Sequence, residues 1–370
     1  MPEKTFIVAV DLEGAGVHPQ AWRRADSRAE ELFSAQYWAD LIEQADGAGL
    51  DLAFIADSFA LQSGGRELGR LDAASIAARV AALTRSIGLV PTVTVTHTEP
   101  FHVSKQIASI DYASHGRAGW EVAVSESASE AKSFGRKDVQ PATSLWAEAD
   151  DAIEVVTRLW DSWEDDAEIR DASTGRFIDR DKLHYIDFEG EHFSVRGPSI
   201  TPRSPQGQSV IVVRASSDSL TVAATRADIV RIAAPTVDEA SAIATRVRRA
   251  VVAEGRDPSS VHVLLDLEVL VSDSAEADLA QLNDWGTYTP NSASYVGDGA
   301  GLIALLEGLA SSGVVDGITL RPLALTSSLR AIAQVVPQLS WNPTRRTGLL
   351  RDRLGLARPV NRYAAKESVK

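Results

Sequence analysis

Short apolar runs rich in β-branched residues alternate along this chain with stretches whose apolar positions recur every three or four residues. The segments Thr5–Val10, Asp51–Ala56, Ile87–Val95 and Gly119–Val124 read as strands, and so do Ser209–Val213, Asp228–Ile232, Val261–Val271 and Gly317–Leu320. Alternation is poor within Val261–Val271, as expected of a strand covered on both faces. Between the strands, Phe33, Tyr37, Leu41, Ala45 and Ala48 fall at helical spacing, and Gly49 ends that helix. Further helices are predicted over Asp72–Leu83, over Leu145–Trp160, from about Ser217 to Arg226, and over Val237–Ala253, Gly301–Leu309 and Leu325–Val336. Another starts at Pro100, which suits a first helical position because its missing N–H leaves nothing unsatisfied there. It runs through Val103, Ile107 and Ile110 to an exit at Gly116.

Eight strands, each followed by a helix, predict a closed (β/α)8 TIM barrel. An open doubly wound sheet is the competing architecture and would carry fewer strands. Two segments break the rhythm: 161–208, which is long and charged with Pro and Gly punctuation, and 285–299. A connection this long is usually functional or a lid. The expected organisation is one domain over 1–358, with an insertion at about 161–208 and a C-terminal tail over 359–370.

Composition narrows the class. The 370 residues are 44% apolar, but no apolar run reaches the length of a membrane span. The opening MPEKTFIVAVDLEGAG leads straight into a strand pattern without the marks of a signal peptide. Cysteine is absent, which excludes disulfides, a thiol nucleophile and thiolate metal sites. A cytoplasmic location is expected. The net charge of −14 argues against a nucleic-acid partner, since phosphate binding needs clustered Lys and Arg. The one basic stretch, around Arg345, Arg346, Arg351 and Arg353, reads as a solvated or oligomer-contacting face.

Candidate chemistry gathers at predicted strand exits. The turn Arg214-Ala215-Ser216-Ser217-Asp218-Ser219 offers small hydroxyl residues at a helix start. Such a turn either holds a phosphate or simply caps the helix. Asp57-Ser58 and Thr92 lie where polar groups meet a heterocycle's edge, though each also reads as a turn former or strand residue. His18, His97 and His102 are candidates for acid–base work or for satisfied structural roles, and their spacing is no metal pattern. Glu121 lies inside a barrel strand, where a carboxylate needs a partner. Arg117 or another barrel cation would supply it, or the residue serves the site. Gly14-Ala15-Gly16 lacks the rest of a dinucleotide fingerprint.

The segments AGVHPQAWR (15–23), FIADS (54–58), HTEPFHVSKQIASIDYASHGRAGW (97–120), EAKSFG (130–135), DFEGEHFSVRGP (187–198), TPRSPQGQ (201–208) and DGITLRP (316–322) resemble the luciferase-like flavin-dependent monooxygenases. They look most similar to the branch holding the nitrilotriacetate and dibenzothiophene-sulfone monooxygenases. The resemblance implies a two-component enzyme. A partner reductase supplies reduced FMN, oxygen adds at the flavin C4a, and the resulting peroxide oxidises a small organic substrate. The insertion would shield that chemistry. It also implies a homodimer or homotetramer.

Carried over by residue, the branch's flavin contacts match Asp57, Thr92 and Ser217, with Ser216 beside it. A His and a Tyr four apart in the branch fall on Ala142 and Trp146, and two asparagines on Glu121 and Ser127. Trp146 is retained as a cofactor-side residue. His18 and His97 are the implied catalytic residues, with Trp22 on the substrate side. Losing two hydrogen bonds to an anionic cofactor is worth on the order of 1.5–3 kcal/mol each. Arg70, Arg85 and Arg214 are the cations that could replace them. Two other readings stand beside this one: a deazaflavin (F420)-dependent oxidoreductase, and a non-catalytic paralogue without flavin binding.

Overall fold

The computed structural model describes residues 6–341 and 347–364. Eight parallel strands close into a barrel: β1 (Ile7–Leu12), β2 (Leu52–Ile55), β3 (Gly88–Thr94), β4 (Gly119–Ala123), β5 (Val210–Arg214), β6 (Ile229–Ile232), β7 (His262–Val271) and β8 (Gly317–Pro322). Each pairs with the next, and β8 returns to β1 with Ile7 opposite Gly317. These are the eight predicted strands, with ends shifted by a residue or two.

Helices α1 (Ala35–Ala48), α2 (Ala73–Ala81), α3 (Pro100–Ala113), α4 (Ala128–Phe134), α5 (Ala142–Asp161), α6 (Leu220–Arg226), α7 (Val237–Ala253), α8 (Ala275–Trp285), α9 (Gly299–Ser312) and α10 (Leu325–Val335) follow. Local chemistry sets their ends. The Ser34 and Asp72 side chains accept N–H bonds at the starts of α1 and α2, and Gly49 takes the left-handed conformation that stops α1. Two helices escape the periodicity reading. In α4 only Glu130 and Ala131 are buried, and a Ser127–Glu130 capping box holds its start. In α8 only Ala275 and Leu282 are buried, so no apolar stripe marks it. The strand Ala293–Gly297 was also not anticipated. It pairs only with the far end of β7 and is mostly half-exposed.

The barrel interior has two chemically different halves. Its floor is apolar: Ile7, Phe54, Val90, Val212 and Leu264 pack on Leu350 and Leu354, part of the C-terminal segment that underlies the barrel. Arg351 and Arg353 belong to this seal. Arg351 pairs with Asp228 at 2.7 Å and donates to the Gln208 carbonyl, while Arg353 donates to the Ser86 carbonyl. The expectation of a solvated or oligomer-contacting face is corrected for these two residues; Arg345 and Arg346 lie outside the described residues.

The insertion joins the C-terminus of α5 to the start of β5, so it begins and ends at the N-terminal face. Trp163 Nε1 donates to the Ser199 carbonyl, and Arg203 pairs with Asp161 and Asp165. Its short hairpin Phe188–Glu189/Ser194–Val195 packs through Phe188 on Val155 and Leu159 of α5. The connection leaves a helix and feeds a strand, so both its ends are tied to the face opposite the strand ends, while its hairpin packs beside Phe101 in the first turn of α3. The tail segment is described as far as Ala364. Within it, Asn361 is buried and donates to the Asp161 and Trp163 carbonyls, and Tyr363 stacks on His184.

Candidate functional site

Above the apolar floor the strands contribute a layer of charge. Asp11 comes from β1, Thr92 from β3, Glu121 from β4, Arg214 from β5, Arg231 from β6, Asp266 from β7 and Arg321 from β8. Arg231 is fully buried. It donates to Asp266 Oδ1 (2.9 Å), Glu121 Oε1 (2.9 Å) and Asp11 Oδ2 (2.7 Å), and its guanidinium lies 4.2 Å over the Phe54 ring. Arg214 reaches the same three carboxylates from the mouth side, at 2.8–3.1 Å, with 42% of its side chain exposed. Arg321 bridges Asp11, Glu268 and Glu13.

Burial alone would raise the Asp11 and Glu121 pKa values. For Asp11 the Arg231, Arg214 and Arg321 guanidiniums outweigh it, and for Glu121 the Arg214 and Arg231 guanidiniums do. Both carboxyls are held below their ordinary range. Arg117 is not the partner of Glu121. Its guanidinium donates to the carbonyls of Ala81, Thr84, Ile87 and Ser114 and to the Thr84 hydroxyl. Thr92 completes the Glu121 shell, donating to Oε2 at 2.8 Å.

This layer was legible only as an oddity. Asp11 in IVAVDL and Arg231 in IVRI are isolated charges inside apolar strands, and Asp266 and Glu268 are a pair of them in HVLLDLEVLV. A lone charge in such a run signals partners on other strands.

The expected site residues are distributed around the mouth. Asp57 and Thr92 line one cavity of about 160 Å³, together with Phe59, Thr94, Thr98 and His102. Asp57 accepts from the Ser58 and Ala73 N–H groups (2.7 and 2.9 Å), and burial nonetheless raises its pKa. Ser216 is consumed by its own turn: its N–H donates to Ser219 Oγ, and its Oγ accepts from the Asp218 and Ser219 N–H groups. Ser217 is exposed, and its hydroxyl makes only a 3.3 Å contact with Asp218. Trp146 is buried in the apolar layer of the main core.

His18 is fully buried. Its Nδ1 accepts from the Gln20 N–H, so Nε2 carries the proton towards Asn283 Oδ1 at 3.3 Å, and burial lowers its pKa. His97 differs. Its ring stacks on Phe134 at 4.5 Å, and both ring nitrogens are buried without a partner. Burial, then Lys137, lowers its pKa against Glu130 and Glu148. Trp22 is exposed and donates to the Gly65 carbonyl.

Of the three cations named as replacements, Arg85 is exposed ahead of β3, at the barrel's other end. Arg214 is committed to the ionic layer. Arg70 makes no hydrogen bond or ion pair with any described residue, and its Nε is buried. The buried Thr94 and Ser125 hydroxyls near the ends of β3 and β4 also lack partners. The Arg70 Nε and the Thr94 and Ser125 hydroxyls lie at different points around the strand ends, Thr94 in the cavity with Asp57 and Thr92 and Arg70 between the first two loops, while the exposed Ser217 hydroxyl is the least constrained donor of the β5 turn.

No described helix is long and apolar enough to cross a membrane. The family model for luciferase-like monooxygenases matches residues 14–308. The chain is 34% identical over 285 residues to the N-acetyl-S-(2-succino)cysteine monooxygenase of Bacillus subtilis, covering 76% of this chain and 65% of that protein. It is 36% identical over 275 residues to nitrilotriacetate monooxygenase component A of Aminobacter aminovorans, covering 70% and 61%. It is 32% identical over 279 residues to the dibenzothiophene-sulfone monooxygenase of Rhodococcus erythropolis, covering 71% and 61%. The chain thus spans 61–65% of the length of these relatives. The crystal structure of a long-chain alkane monooxygenase superposes with a TM-score of 0.88 at 21% identity, covering 99% of this chain and 100% of that one. The eight-stranded barrel and the family model's match over most of the sequence lead to one conclusion: this chain belongs to the luciferase-like monooxygenase family.

Proposed function

We propose that the protein is the oxygenase component of a two-component system, taking reduced FMN from a partner reductase and using O2 to oxidise a small organic substrate. One observation carries the reading: Asp57, two residues beyond β2, and Thr92 on the neighbouring β3 line a single cavity at the C-terminal ends of the barrel strands. Bound there, reduced flavin supplies the activation of O2.

The protein's share is binding and orientation. Asp57, fixed by two backbone N–H groups, offers its carboxyl to the ring edge. The Thr92 hydroxyl, oriented by Glu121, keeps its lone pairs for the ring. Ser217, in the turn that Ser216 holds together, takes the phosphate, and Trp146 is the cofactor-side aromatic. The Glu121 charge, set against Arg214 and Arg231, adds little repulsion to an anionic cofactor. His18 holds the first loop in register, and His97 faces the substrate as a neutral imidazole. A cytoplasmic homodimer or homotetramer completes the reading.

Anaerobic titration with oxidised and then reduced FMN, read by tryptophan quenching, tests it. Saturable binding that prefers the reduced form is expected, and F420 added as competitor should not displace it. Displacement would favour a deazaflavin enzyme, and no binding of any of the three would favour a barrel without redox chemistry.

A further inference from the structure

The ionic layer is neutral in sum and polarised in depth. Arg214, Arg231 and Arg321 stand against Asp11, Glu121 and Asp266. The three carboxylate side chains are 1–3% accessible, Arg231 0% and Arg321 10%. Arg214 is the open member, at 42%. Protein surrounds it densely, so it lies like a group on the floor of a hollow, accessible from the mouth side. A ligand entering the mouth meets this cation first, with its counterions behind it.

The guanidinium is fixed before anything binds. Strands β5 and β6 run in register with Arg214 opposite Arg231, so both side chains enter the barrel at one level. Glu121 Oε1 and Asp11 Oδ2 each accept from both guanidiniums, which offsets the repulsion between them. Burial would lower the Arg214 pKa, but Glu121, Asp266 and Asp11 raise it well above the ordinary value, so the charge is permanent. At the backbone end, the Ser219 hydroxyl donates to the Arg214 carbonyl at 2.7 Å and ties it to the turn that carries Ser217. A cation held this way needs no rearrangement when it is used.

Arg214 also keeps donors in reserve. Its Nε, Nη1 and Nη2 each give one N–H to a carboxylate. A second N–H on Nη1 and another on Nη2 have no partner among the described residues. Glu121 links the same guanidinium to Thr92, in the cavity wall, through bonds of 3.0 and 2.8 Å. Arg214 thus stands between the cavity that Asp57 and Thr92 line and the Ser217 turn.

Reduction adds electron density to a flavin ring, and the reduced ring readily gives up a proton to become an anion. A fixed cation with unspent donors favours that form over the neutral oxidised ring. We propose that Arg214 is the residue that makes this site select reduced over oxidised FMN, by presenting the open side of its guanidinium to the ring. The inference rests on the flavin reading of the site.

The test is anaerobic titration of the full chain with oxidised and with reduced FMN, paired with the midpoint potential of the bound flavin. In the parent, reduced FMN should bind at least about tenfold more tightly, which raises the potential by about 30 mV over that of free FMN. Arg214→Gln should remove most of this preference while leaving the affinity for oxidised FMN within about threefold. Arg214→Lys, which keeps the charge, should retain a preference above that of the Gln variant. A merely structural Arg214 would weaken both forms alike and leave the potential unmoved. An unchanged preference in Arg214→Gln therefore overturns the proposal, and so does a parent that binds both forms equally. A parent that binds neither form overturns the flavin reading itself, and this inference with it. If Arg214→Gln does not fold, the parent decides: bound reduced FMN, followed by absorbance, should ionise at a lower pH than the free cofactor. Ionisation at the same or a higher pH overturns the proposal.

Discussion

Glu121 on β4 and Arg214 on β5 meet across the barrel mouth with Nε and Oε1 3.0 Å apart, so an acid and a base from neighbouring strands cancel where a cofactor would approach. Read alone, Glu121 places a negative charge where an anionic cofactor must bind. Read with Arg214, Arg231 and Thr92, it is a neutralised element of the barrel's interior.

Arg231→Met should remove about 3–5 kcal/mol of stability, because it leaves the Asp11, Glu121 and Asp266 carboxylates facing one another with one buried counterion fewer. Arg214→Met should be milder, since its side chain is partly solvated. Urea unfolding at neutral pH measures both, and equal losses would contradict the layered picture.

Stability should fall as the solution is acidified. Asp11 and Glu121 have folded-state pKa values below their unfolded ones, so their contribution is present above the unfolded value of about 4. It is lost as pH descends towards the folded values. Asp57, Glu67 and Glu268 are shifted upward and oppose this trend from about pH 4 upward. Unfolding free energies between about pH 5 and pH 2 should therefore show a steep acid limb that is shallower in Asp11→Asn.

His97→Phe should separate stability from function. Phenylalanine keeps the stacking on Phe134 and removes two buried ring nitrogens that have no partner. A gain of about 1 kcal/mol in unfolding free energy is expected, alongside a loss of turnover. A loss of stability would mean that the imidazole already has a satisfied structural role. By NMR titration the His97 pKa should lie below 6.5.

The two serines of the β5 turn should behave oppositely. Ser216→Ala breaks the bonds that hold the turn and should lower stability by about 1 kcal/mol. Ser217→Ala should leave Tm unchanged and weaken FMN by about 1.5–3 kcal/mol, some tenfold or more. Equilibrium unfolding and flavin titration on both variants distinguish the roles.

The strands were readable because each one is a β-branched run closed by turn residues. The missing helices were not: α8 buries only Ala275 and Leu282, so packing rather than periodicity holds it. Asp57 and Thr92 could be chosen from sequence, and they do line one cavity. What pairs with Glu121 could not, because Arg214 and Arg231 lie 93 and 110 residues away and only barrel closure brings them near. Nor could the Arg70 Nε, buried without a hydrogen-bond partner while the charge it belongs to acts on Asp57, because loop packing sets both.

The two ends of 161–208 are fastened at the face opposite the strand ends, which separates two kinds of inheritance. Changes of length or sequence in that stretch act on Asp161, Arg203 and Asn361, which fasten the outer helices to the underside of the barrel. None of these fastening contacts involves Asp57 or Thr92. A chimera that exchanges only these fastened ends for another family member's should shift resistance to heat while leaving the cavity lining in place, so that part of the scaffold can diverge apart from the pocket.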